Sequence, residues 1–414
     1  MDIQNEKNNS KDINFPNVLI IHTDQQSNWT LGIYGGKVVD TPNIDAIGEQ
    51  GAVLNNFVTN SPVCTPSRGC FLTGLYPHAH GAYSNNLQIN QTVETIAHVF
   101  KDNGYETGYA GKWHLNGITR PGWVKRKKAM GFSDSQYMFN WGHWKKIQES
   151  KSNNNPDVSM QIDDKDNYTT DFLTDKAIDL IKEKKENPFL YMISYPDPHN
   201  PYKVREPYAS MYKPEDMEFP IPLNQEEIDY PPKILRKSKN RDITPEEYFR
   251  KGKAQYYGMV KCIDDNVGRI LDHLEKQGEM DNTIIIFTSD HGDFMGEDGL
   301  QGKGKPRETA LKVPFLIRWP EKIKPGTVVN NVISTVDFKP TLESLVGIEG
   351  DQRDQGRDAS KLLMDTDKNE TWEDIAYLHF LHGPKSRHWA GVYTDKYIMG
   401  LFPFRNKTYL SNRK

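Results

Sequence analysis

Two of the most strongly apolar runs in this chain end on an acid. NVLIIHTD (17–24) and NTIIIFTSD (282–290) have the length and β-branched content of buried strands, and they close on Asp24 and Asp290. PFLYMIS (188–194), VPFLIRWP (313–320) and VVNNVISTVD (328–337) are further strand candidates. Between these runs the spacing predicts helices. One covers 92–103, and a second covers 170–185 with Phe172, Ala177, Ile178 and Ile181 on one side. The clearest covers 245–277, where Met259, Ile263, Val267, Ile270 and Leu274 recur at helical spacing and Gly278 marks the stop. Strands alternating with helices specify an α/β fold, a mostly parallel sheet covered on both faces. Such sheets hold ligands at the carboxyl ends of their strands, where Asp24 and Asp290 fall.

The 414 residues suffice for one large α/β domain and a smaller appendage. Residues 1–16 read as a flexible tail, 17–350 as the main domain, and 351–414 as a small α+β subdomain that turns strand-like at 388–400. Residues 203–244 read as a long surface excursion, and 125–168 as irregular. With 52 basic and 56 acidic side chains the net charge is −4, which gives no general attraction to nucleic acid or an anionic membrane. An anionic substrate would therefore need local positive charge. No apolar stretch has the length of a membrane span, and the polar N-terminus has no apolar signal core. As written the chain reads as cytoplasmic, or as periplasmic or secreted if a signal peptide has been removed. Cys64, Cys70 and Cys262 are too few for a disulfide framework, and their spacing suits no zinc site.

The segment CTPSRGCFLTGLYPHAHG (64–81) carries chemistry. Pro66 suits the first position of a helix, which would set Cys64 just before a helix N-terminus, where free N–H groups favour anions and thiolates. Arg68 adds fixed positive charge one turn on. Alone, this pattern fits a buried structural cysteine as well as a reactive one.

Cys64-Thr65-Pro66-Ser67-Arg68, with Leu72-Thr73-Gly74 and Tyr76-Pro77, resembles the signature of the type I sulfatases of the alkaline phosphatase superfamily. The resemblance runs from Asn17 to about Pro320. It implies an alkaline-phosphatase-like fold, with a large mostly parallel or mixed sheet between helices, and sulfate ester hydrolysis by 17–350 as catalytic domain. It implies that a formylglycine-generating maturase oxidises Cys64 to formylglycine. One hydroxyl of the aldehyde hydrate attacks sulfur, and the second lets sulfate leave. Carried over residue by residue, the metal ligands are Asp24, Gln25, Asp290, His291 and oxidised Cys64. The oxygen donors suit Ca²⁺, while His291 leaves Mg²⁺ or Mn²⁺ open. Gln25 stands where the family most often has a second aspartate, and His291 where it often has asparagine.

Gly111-Lys112-Trp113-His114-Leu115 resembles a second family segment, in which Lys112 bridges a sulfate oxygen and the nucleophile and His114 helps the hydrate collapse. By the same resemblance His199 binds a sulfate oxygen or protonates the leaving group, and Lys303, eleven residues before Pro314, stabilises the departing oxygen. Arg68, Lys112, His114, His199 and Lys303 then supply the local positive charge. Trp141, His143, Trp144, Tyr202 and the 379–388 region would line an entrance suited to a sugar ring, or else pack the small subdomain. The substrate expected is a small-molecule or saccharide sulfate ester. Two alternatives stand beside it: a phosphonate monoester hydrolase or phosphodiesterase of the same superfamily, and a non-catalytic sulfated-glycan-binding protein with unmodified Cys64. Relatives often run longer, which leaves open whether the C-terminal subdomain is complete.

Overall fold

The computed structural model describes residues 15–413 except 151–154, 163–166, 185, 219–244, 298–299 and 365–370. Most of the N-terminal tail and the outer part of the 203–244 excursion lie outside the described residues. Strands β1 (Asn17–Thr23), β2 (Ala52–Val58), β3 (Glu106–Lys112) and β4 (Met138–Phe139) enter the main sheet first. A small pair follows, β5 (Lys146–Gln148) with β6 (Asp157–Ser159). The main sheet then takes β7 (Phe189–Ser194), β8 (Thr283–Ser289), β9 (Phe315–Arg318) and β10 (Thr327–Ser334). Its eight strands lie in the order β10-β2-β9-β8-β1-β7-β3-β4. Every pairing is parallel except those of β9, which runs against both β2 and β8.

Alternation along the strands divides the core into two layers. Val18, Ile20, Ile284 and Ile286 face one, together with Phe71, Phe100, Phe338 and Leu342 from three helices. Leu19, Ile21, Ile285 and Phe287 face the other, against helices Thr169–Lys182 and Pro245–Lys276. The long helix is buried on the stripe its sequence marked: Met259, Ile263, Val267, Ile270 and Leu274 are all fully covered. Full burial of each such side chain contributes about 1.5–3 kcal/mol. The helix expected over 92–103 begins only at Ile96, because Thr95 caps it and its hydroxyl meets His98 Nδ1 at 3.1 Å.

The last strands, β11 (Ile375–Phe380), β12 (Trp389–Thr394), β13 (Tyr397–Phe402) and β14 (Lys407–Asn412), form an antiparallel meander. Its apolar face (Leu378, Trp389, Tyr393, Ile398) packs on Val58, Val63, Leu311 and Val332. Among the described residues no helix is long and apolar enough to cross a membrane.

Because β1, β2, β3, β7 and β8 point the same way, the segments that follow them emerge along one edge. Asp24, Cys64, Lys112, His199 and Asp290 all come from those segments. Close approach there needs glycine. At Gly111, with φ +112°, a Cβ would lie 2.0 Å from the Ser194 carbonyl, and at Gly292 it would lie 1.8 Å from that of Thr309.

Candidate active site

Helix Cys64–Thr73 starts two residues earlier than its proline suggested. Val63 is the cap, Cys64 is the first helical residue and Pro66 the third, a position that also needs no intrahelical N–H donor. Cys64 therefore points from the first turn into the strand-end edge and is fully buried. Its Sγ lies 3.2 Å from His291 Nε2, 3.3 Å from Lys303 Nζ and 3.8 Å from Asp24 Oδ1. Burial and then the Asp24 charge push its thiol pKa up. Burial and the Asp24 carboxylate therefore work against the pull of the helix end and of Lys112 and Lys303 on this thiol.

Asp24, Cys64, Asp290 and His291 offer ligand atoms that all lie within 4.8 Å of one another. Arg68 spans the two carboxylates, with Nη2 3.1 Å from Asp24 Oδ2 and Nε 3.0 Å from Asp290 Oδ2. Its other amine donates to the Lys112 carbonyl at 2.8 Å and to Ser194 Oγ at 2.7 Å. Lys112 Nζ donates to Asp24 as well. Burial opposes ionisation of Asp24, but Lys112 with the other positive neighbours outweighs it and holds the carboxyl well below its usual range. Asp290 is likewise held low, by His291 and Arg68 against burial and Asp24.

His291 Nδ1 lies 3.0 Å from the Gly292 carbonyl, which can only accept, so Nδ1 carries the proton. Nε2 then turns its lone pair toward Cys64 and Asp290. Burial lowers the His291 pKa to about 4, which leaves it neutral at ordinary pH. Two carboxylates, a neutral imidazole and the side chain of residue 64 around one point are a donor set that fits a divalent cation. Gln25, with φ +64°, joins from the same turn: its Oε1 accepts from Lys303 Nζ at 2.5 Å.

On the far side of Asp24 two lysine–histidine pairs face each other. Lys303 Nζ donates to His199 Nε2 at 2.9 Å, and Lys112 Nζ to His143 Nε2 at 2.7 Å. The two imidazoles stack with centroids 3.5 Å apart. The Asn200 carbonyl, 2.7 Å away, takes the His199 Nδ1 proton. Burial and then Lys303 lower the His199 pKa well below normal, whereas Lys303 is pushed up by Cys64 and Asp24 against its burial. His114, with φ +61°, is buried with neither ring nitrogen hydrogen-bonded among the described residues.

All residues singled out from the sequence for the site thus converge, Lys303 rather than the exposed Lys305 among them. Three were not foreseen. His143, read only as an entrance residue, sits against Lys112 and His199, and its irregular segment offered no motif to mark it. Lys145 and Asp197 form a fully buried ion pair at 2.6 Å, and the Tyr168 and Thr170 hydroxyls also donate to that carboxylate. Each lies two residues from a stacked histidine, so the pair ties the two loops together. Lys145→Met should cost about 3 kcal/mol of stability in urea titrations, since it leaves Asp197 buried without its cation. Of the entrance residues, Trp144 and Tyr202 pack against the core of the long-helix layer. Trp141 stacks under Arg120 beside His114, and His382 accepts or donates at 2.9 Å with Ser84.

The family model named Sulfatase matches residues 16–348. The chain belongs to the sulfatase family. This sulfatase, like the relatives named as sulfatases, is a sulfuric ester hydrolase. A second model, "N-sulphoglucosamine sulphohydrolase, C-terminal", matches residues 296–409 and so takes in the meander up to the middle of its last strand. An ulvan-active sulfatase of Formosa agariphila is 31% identical over 85% of this chain and 66% of its own length. An N-acetylglucosamine-6-O-sulfatase of Bacteroides thetaiotaomicron is 28% identical over 89% of this chain and 75% of its own. In fold, the sulfatase also matches the phosphonate monoester hydrolase of Agrobacterium radiobacter, with TM-score 0.79, 23% identity, and 96% and 89% of the two chains covered. The fold alone therefore does not separate sulfate from phosphonate esters.

Proposed function

We propose that this sulfatase releases inorganic sulfate from a sulfated saccharide, with Cys64 oxidised to formylglycine and a divalent cation, Ca²⁺ first, held by Asp24, Gln25, Asp290, His291 and residue 64. The observation that carries the reading is the meeting of Asp24, Cys64, Asp290 and His291 within 4.8 Å, beside two lysines. The cation and the oxidised residue 64 together supply a hydroxyl for attack on sulfur and a second hydroxyl through which sulfate is freed.

The chain's own groups do the remaining work. Arg68 holds both carboxylates toward the cation. Lys112 and Lys303 bind the sulfate oxygens and place positive charge where negative charge builds up, on the peripheral and leaving oxygens. Lys303, kept charged, holds a proton at the ester oxygen, which departs as the alcohol. His199 accepts from Lys303 and sets its direction. The unprotonated ring nitrogen of His114, which has no hydrogen-bond partner among the described residues, would take up the proton of the second hydroxyl. A saccharide substrate is supported by the names of the relatives and by Trp141 and His382 near the site.

A second reading, hydrolysis of phosphonate monoesters, is favoured by the shared fold. The Gly111-Lys112-Trp113-His114-Leu115 segment, which resembles the sulfatases more closely, favours sulfate. The test uses protein co-produced with a formylglycine-generating maturase, assayed on N- and O-sulfated glucosamines, an aryl sulfate and an aryl phosphonate. Sulfate release from at least one glucosamine, with the aryl sulfate outpacing the phosphonate, is expected; a faster phosphonate and no sugar turnover would reverse the assignment. Lys303→Ala should lower kcat by roughly 10²–10³-fold on a sugar sulfate and by less on an aryl sulfate, whose leaving oxygen needs no proton.

A further inference from the structure

Asp293 is buried three residues beyond Asp290 and has no role in the chemistry above. Four donors converge on it. Its Oδ1 accepts from the backbone N–H groups of Met295 at 3.0 Å and Gly302 at 3.2 Å. Its Oδ2 accepts from the Tyr202 hydroxyl at 2.6 Å and from Gln25 Nε2. The opposite end of the same amide, Gln25 Oε1, accepts from Lys303. A flipped amide would set oxygen against carboxylate and N–H against ammonium, so both ends fix its orientation.

We infer that Asp293 is a positioning residue that turns the Gln25 oxygen toward the cation, and that its charge makes an amide, not a carboxylate, the matched residue at position 25. The inference rests on the metal reading above. Metal ligands are commonly held by an outer partner in this way. A carboxylate at position 25 would press directly on Asp293 in a buried setting, where like charges repel strongly. In an Asp293→Asn variant the side-chain oxygen would keep its two backbone donors and the new amide nitrogen would face Gln25 Nε2. The Gln25 amide would then have to turn its N–H groups toward the cation.

The two positions therefore form an exchangeable pair, Gln–Asp or Glu–Asn, and the swap is isosteric. The test measures Ca²⁺ and Mn²⁺ affinity by calorimetry on chelator-stripped protein in its unmodified Cys64 form, for wild type, Gln25→Glu, Asp293→Asn and the double variant. Far-UV circular dichroism and metal-free Tm check that each is folded. Each single change should weaken binding roughly 10- to 100-fold. The double change should return affinity to within about threefold of wild type, a coupling between the two positions. A double variant as weak as the two losses multiplied, or single variants that bind like wild type, would overturn the inference while leaving the metal site standing. Wild type that binds neither ion would overturn the metal reading and this inference with it. If a variant does not fold metal-free, the coupling is read instead from the Ca²⁺ concentration at which Gln25→Glu, with and without Asp293→Asn, reaches half its folded far-UV signal, judged by the same outcomes.

Discussion

Cys64→Ala should lose essentially all turnover, about 10⁶-fold in kcat, the scale found when a covalent nucleophile is removed. The expectation follows from position. Residue 64 sits where the ligand atoms of Asp24, Asp290 and His291 gather and where Lys303 reaches in. Alanine keeps the helix start, because the cap at Val63 and the Ser67 N–H to Val63 carbonyl bond at 3.1 Å do not involve the side chain. The folded state should therefore survive and the loss should lie in chemistry. Cys70, on the same helix, is the matched control. It is fully buried beside His80 and away from the cluster, so Cys70→Ala should lower Tm by a few degrees and leave kcat near wild type. Steady-state rates and melting curves on the pair separate the two roles.

Arg68→Met should give the largest loss of stability, on the order of 5 kcal/mol in metal-free protein. Arg68 is 2% exposed, and its guanidinium touches Asp24, Asp290, the Lys112 carbonyl and Ser194. Removing it leaves two buried carboxylates, Asp24 keeping Lys112 and Asp290 keeping only neutral partners such as the Gln25 backbone N–H among its hydrogen bonds within the described residues. A bound dication would neutralise the same oxygens, so the loss should shrink when Ca²⁺ is added. Arg68→Lys should not restore the wild type, since one ammonium cannot bridge both acids and the carbonyl in a single plane. Chemical denaturation with chelator and with Ca²⁺ reads both effects. An equal loss in the two conditions would mean that the cation does not sit against these carboxylates.

Much of the site was legible because its residues follow short β-branched runs, and parallel strands deliver whatever follows them to one edge. Asp24 and Asp290 could be located that way before any coordinates. The antiparallel β9 between β2 and β8 was not legible, since an apolar run of four residues does not state its direction. The start of helix Cys64–Thr73 was misread by two residues because proline is tolerated throughout the first turn, not only at its first position. His143, Lys145 and Asp197 were missed for another reason: their partners lie 31 and 52 residues away, and no local spacing encodes such pairs. Asp293 was in view within TSDHGD, but a third acid near a strand end carries no signal until its partner is seen to be the Gln25 amide. The aromatics near the entrance are all partly buried but pack on different partners, which sequence could not decide: Trp144 and Tyr202 lie against the long-helix core layer and Trp141 lies beside His114.

The most direct measurement pairs peptide mass with rate. Preparations made with graded amounts of maturase are digested, and the fraction of residue 64 that is lighter by about 18 Da, the cysteine-to-formylglycine change, is compared with sulfate released per minute. The account predicts a straight line through the origin. Full activity in a preparation whose residue 64 is entirely cysteine would contradict it.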